Sequence, residues 1–114
     1  MKSTFIILTA LFMFSIVLLS AHPASSVAAG FNKDENLLTI NFKHQVRDNV
    51  DHFISDLVVR KNKKVIITQK LGTQDTLEGG ILTYKINDLK PKDKLTITTR
   101  CNKTGNKSVT IENK

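Results

Sequence analysis

Two imidazoles and one thiol are the side chains best placed to do chemistry: His44, His52 and Cys101. Imidazole nitrogen and thiolate sulfur are the ligands that iron, copper and zinc draw from proteins. His44 and His52 flank the short charged stretch Gln45–Asp51, and Cys101 lies far downstream in a strand-like segment. If both histidines border one loop and the cysteine ends a strand, all three can meet at one end of a β structure. The competing reading is two exposed polar histidines and a packed thiol, since unpaired cysteine is among the most buried residue types. Other catalytic templates are missing. There is no glycine-rich phosphate loop, no HExxH, no paired-cysteine zinc motif and no GxSxG. Asp48, Asp51 and Asp56 are close in sequence, but nothing marks two of them as an acid–base pair. A hydrolase or lyase therefore has no visible site.

The segments that must position these residues read as strands. Leu38, Ile40 and Phe42 alternate with Thr39, Asn41 and Lys43, the period of a half-buried strand. His52–Arg60 is rich in β-branched and apolar residues, Lys61-Asn62-Lys63 suits a tight hairpin turn, and Lys64–Lys70 continues as a strand. Leu71–Gly80, with three glycines, reads as a longer loop. Ile81–Ile86 and Leu95–Cys101 alternate again, separated by a corner containing Pro91, and Val109 and Ile111 close the last strand. Phe31–Asn36 reads as a loose N-terminal arm. Six or seven short strands with turns between them, and no sustained helical period, predict an all-β domain, a small immunoglobulin-like β-sandwich.

Ahead of that domain, Lys2 precedes the apolar run Phe5–Leu19, and small residues follow through Ala24–Gly30. That is the pattern of a cleavable signal peptide. The small-residue rule favours a cut after Ala28 or Ala29, which predicts a signal peptide over 1–29 and one domain over 30–114. On that division His22-Pro23 is removed and carries no chemistry. The apolar run falls short of the roughly 20 residues of a membrane-spanning helix, so no stable span is expected after cleavage, and the protein is expected to be periplasmic or secreted.

Cys101 is the sole cysteine, so no internal disulfide can reinforce a domain of this size. A lone thiol in an exported protein is a packed residue, an intermolecular disulfide or a metal ligand. The whole chain carries a formal charge of +7, and only Lys2 falls within residues 1–29. Lysines scattered through turns favour solubility and protect strand edges. They also offer a basic surface to an anionic partner. No run combines basic residues with aromatics as nucleic-acid binders do, so no nucleic-acid partner is expected.

Lys43-His44 followed by Asp51-His52-Phe53-Ile54 resembles the segment of desulfoferrodoxins (superoxide reductases) in which two iron-binding histidines flank a short loop. The corner Asp88-Leu89-Lys90-Pro91, then a strand, then Cys101-Asn102-Lys103-Thr104-Gly105, resembles that family's strand ending in Cys-Asn-x-His-Gly. The likeness spans roughly residues 38–112. It implies an immunoglobulin-like sandwich holding ferrous iron through four equatorial histidines and an axial cysteine, with an electron-donor protein as partner. Three of those ligands carry over, as His44, His52 and Cys101. Thr104 stands where the family's last histidine falls, and the upstream histidine has no counterpart ahead of His44. The resemblance thus implies a transition-metal site, iron first with copper or zinc as alternatives, and a remnant of superoxide reductase-type redox chemistry. The alternative is a non-catalytic immunoglobulin-like module that holds an anionic partner on its basic surface.

Overall fold

A computed structural model describes residues 22–114. The charged start and apolar run expected to act as a signal peptide lie outside the described residues. Among those described, seven strands follow one another: β1 (Ser26–Asn32), β2 (Leu37–Lys43), β3 (Ile54–Lys61), β4 (Lys64–Lys70), β5 (Gly79–Lys85), β6 (Lys94–Cys101) and β7 (Asn106–Glu112). They form two antiparallel sheets, one in the order β1-β2-β5 and the other β4-β3-β6-β7. This is the small β-sandwich that the alternating pattern predicts.

The alternation does the packing. Leu38, Ile40 and Phe42 of β2 turn inward while Thr39, Asn41 and Lys43 turn to solvent. Ile54, Leu57 and Val59 of β3 and Leu95, Ile97 and Cys101 of β6 meet them from the other sheet. The hairpin between β3 and β4 turns on Asn62 and Lys63, both with positive φ, as a two-residue primed turn requires.

Strand pairing begins ahead of residue 30. Ser26 to Asn32 pair with Lys43 to Leu37 along their whole length, and Ala24 and Val27 are buried in the core. The boundary read between Ala29 and Gly30 therefore falls inside a strand, and Phe31 belongs to that strand rather than to a loose arm. Ala24–Gly30 is made mostly of small residues, which suit a protease subsite and an edge strand equally well. The Leu71–Gly80 loop also ends early, because Gly79 and Gly80 already pair with Lys43 and Phe42. At Gly79 a side chain would run into the Phe42 carbonyl, so the close approach of β5 to β2 demands glycine there.

Antiparallel pairing carries the chemistry to one end. The start of β1 lies beside the end of β2, with Ser26 opposite Lys43. The start of β3 lies beside the end of β6, with Ile54 opposite Cys101. Residues just before β1, just after β2, just before β3 and at the end of β6 are thereby gathered at the same pole of the sandwich. A bulge between Ile54 and Asp56 sharpens the bend of β3 there.

Candidate metal centre

His44 follows β2 and is fully buried. Its backbone is pinned to the β4–β5 loop, its N–H donating to the Glu78 carbonyl at 2.8 Å. Its ring is fixed by Gln74, from the same loop, which is also buried. The Gln74 amide uses every hydrogen bond it can make. Nε2 donates to the carbonyls of His44 (2.8 Å) and Thr76 (2.9 Å). Oε1 accepts from the Ile54 N–H at 3.1 Å and lies 2.8 Å from His44 Nδ1. Reversing the amide would set its NH2 against an N–H and its oxygen against two carbonyls, so its orientation is settled by the network. His44 Nδ1 must then carry a proton and donate to Oε1, and in the neutral ring Nε2 presents a bare lone pair.

That lone pair faces another acceptor. Nε2 lies 3.1 Å from the carbonyl oxygen of His22. Two acceptors at this distance repel unless a second proton or a cation stands with them. A metal ion is one cation that could stand there, shared by Nε2 and the carbonyl oxygen, and Gln74 would then be the outer partner that orients a ligating imidazole.

His52 lies just before β3 and is half-buried. Its imidazolium is disfavoured first by burial and then by His44, His22 and Lys103, with Asp51 opposing. Its pKa is therefore held below the ordinary 6.5, which keeps the ring in the neutral form that binds metals. Its Nε2 lies 3.1 Å from Cys101 Sγ. The sulfur also accepts the Lys103 N–H at 3.4 Å. Cys101 is 2% exposed, so it is a packed residue that nonetheless faces the site. Two ligands on one ion, with nitrogen at about 2.1 Å and sulfur at about 2.3 Å, stand roughly 3 to 3.6 Å apart. The observed spacing fits a shared ion, and it also fits a His52–Cys101 hydrogen bond that leaves Nδ1 for the metal.

The third imidazole is one that the sequence reading set aside. His22, exposed and just ahead of β1, stands against both other rings. Ring centroids are 5.0 Å apart for His22–His44, 5.2 Å for His22–His52 and 4.8 Å for His44–His52. Three imidazoles bound tetrahedrally to one ion, each nitrogen at about 2.1 Å, have centroids about 5 Å apart. One ligand atom from each ring lies within 4.8 Å of the other two. These three close histidines could hold a metal ion. The stretch judged disposable therefore carries a candidate ligand.

Neighbouring residues hold these groups in place. Asn102 ties the β6–β7 turn to the His52 segment three times. Its Oδ1 accepts the Phe53 N–H (3.0 Å), its Nδ2 donates to the Asp51 carbonyl (2.9 Å), and its N–H donates to the Phe53 carbonyl (3.0 Å). Pro23 packs on Gly105, where an added Cβ would lie 2.9 Å from the proline ring and where φ is +87°. Ser25 donates its N–H to the Lys43 carbonyl at 2.8 Å. Thr104, expected from the resemblance to stand in place of a ligand histidine, is exposed and outside the histidine cluster. Gln74 and Asn102 had no signal in the sequence, because an amide's role as an outer partner depends on loops that meet only in the fold. His22 did have one, as a histidine beside proline within a stretch of small residues. Comparison with protein-family models, with curated proteins and with solved structures returns no match.

Proposed function

We propose that this is an exported protein whose β-sandwich binds a transition-metal ion through His22, His44 and His52, with Cys101 beside the ion as a fourth ligand or as the partner of His52. The observation that carries this reading is the convergence of three imidazoles at one pole, with the His44 ring fixed by Gln74 so that Nε2 faces the cluster. The donor chemistry suits iron, copper and zinc. The resemblance to desulfoferrodoxins in the His44–His52 and Cys101–Gly105 stretches favours iron and a superoxide reductase-type role, served by an electron-donor protein. The test is elemental analysis of the exported protein, and of protein reconstituted anaerobically with ferrous iron, Cu(II) or Zn(II), beside a His44→Ala and a His52→Ala variant. One equivalent of metal, lost in both variants, is the expected result. Stoichiometric iron would be followed by a superoxide assay. Absence of metal after every reconstitution removes the reading.

A second reading has its own observation. At the opposite pole the β3–β4 hairpin and the β5–β6 turn meet through Asn62, which donates to Asp93 and accepts the Lys94 N–H. Exposed Lys63, Lys64, Lys90, Lys92 and Lys94 gather there. A salt-sensitive interaction with an anionic polymer at that end, independent of metal, is what a binding module would show.

A further inference from the structure

Resting on the metal-site reading above, we propose that the mature chain begins at His22, and that its freed α-amino nitrogen joins the three imidazoles as a Cu(II) ligand. The fold narrows where a leader can be removed. A cut after Ala28 or Ala29 divides β1. A cut after Ala24 discards a core residue that is 3% exposed, the proline packed on Gly105 and the His22 ring. Upstream of these, Ala21 is the small residue that follows the apolar run and Ser20. Leu19, three positions before this cut, is larger than the usual small residue, so the fold rather than the cleavage pattern selects the position.

The main chain of His22, and not only its ring, lies at the site. Its carbonyl oxygen is 3.1 Å from His44 Nε2, and its backbone nitrogen is three covalent bonds from that oxygen. Inside a longer chain that nitrogen is an amide with no lone pair to give. At a chain terminus it is an amine that titrates near 7.7–8.0 and binds metal once deprotonated. The α-amine and Nδ1 of one histidine close a six-membered ring on a single ion. Nδ1 now lies 2.9 Å from the Pro23 carbonyl, and the ring is exposed on the side away from His44 and His52, which leaves it room to turn Nδ1 to the ion. Amine, Nδ1, and the imidazoles of His44 and His52 make a four-nitrogen donor set. Such a set favours Cu(II), which tops the divalent affinity order and accepts tetragonal nitrogen coordination.

The full-length chain, exported with its own leader, is analysed by intact mass and N-terminal sequencing, and a terminus at His22 is expected. That form is then titrated with Cu(II) against a form carrying one extra glycine before His22. The extension should weaken Cu(II) binding by at least about 100-fold, since a tethered ligand acts at millimolar effective concentration or above. It should also change the nitrogen hyperfine pattern of the copper EPR signal. A terminus at Ala29 or Gly30, or equal affinity and identical spectra in the two forms, overturns the proposal. Equal binding that is nevertheless abolished by His52→Ala would remove the amine while leaving the imidazole site standing. Binding indifferent to His52→Ala would remove the metal-site reading as well.

Discussion

At the scale of single residues, Gln74 decides how the site is wired. It holds the His44 ring, accepts from Ile54 and donates to two carbonyls, all in a buried setting. Gln74→Leu keeps the volume and leaves those partners without hydrogen bonds, which costs about 1–3 kcal/mol for a buried polar group left alone. It also frees the His44 tautomer, and loss of such an outer partner typically weakens metal affinity 10–100-fold. Thermal unfolding together with metal titration of Gln74→Leu should show both losses. A drop in melting temperature with unchanged affinity would reduce Gln74 to a structural brace. His44, His52 and Cys101 were legible because imidazole and thiol are rare enough in this chain to stand out by type. Gln74 was not, because an amide declares its role only through the atoms around it. His22 was hidden differently, by its place in a segment whose small residues match a processing signal.

At the scale of elements, β1 is the strand that the sequence conceals and the site needs. Its alternation is weak, because small residues, glycine and asparagine occupy most positions that larger apolar side chains would fill elsewhere. Pairing with β2 and burial of Ala24 and Val27 make it a strand all the same. The strands with clear period-two patterns, β2, β5 and β6, were legible from the chain, as was the β3–β4 turn. A chain beginning at Gly30 loses four of the seven β1–β2 residue pairs and exposes the core face beneath Val27. It should be destabilised by roughly 3 kcal/mol or more, counting the buried Val and Ala side chains and the lost ladder. Urea unfolding of chains beginning at His22 and at Gly30 measures this directly, and equal midpoints would mean that β1 is dispensable. Gly105→Ala probes the same region more gently. The substitution forces a side chain into the Pro23 ring at a left-handed φ, so metal affinity should fall well before global stability does.

At the scale of the whole molecule, the question is what holds so small a sandwich together. Its only cysteine is unpaired, its core is modest, and one of its largest fully buried side chains is the histidine His44. A domain only a little above the size at which cross-links or metals become common has limited stability to spare. The four segments that meet at the site pole come from both sheets: β1 and β2 from one, β3 and β6 from the other. An ion held by His22, His44 and His52 would therefore tie the two sheets together where no disulfide does. Binding to the folded state alone adds RT ln(1 + [L]/Kd), about 4 kcal/mol at a thousandfold excess over Kd. For a domain of this length that raises the melting temperature by roughly 15 °C or more. Chelator-treated protein should melt that much below the metal-saturated form, and the gap should close in His52→Ala. If the lysine-rich pole carries the function instead, saturating metal will leave the melting temperature within a few degrees. A polyanion will then raise it at low salt and lose that effect as the ionic strength reaches physiological levels. The two poles of the sandwich thus answer to different reagents, and a pair of melting curves assigns the function to one of them.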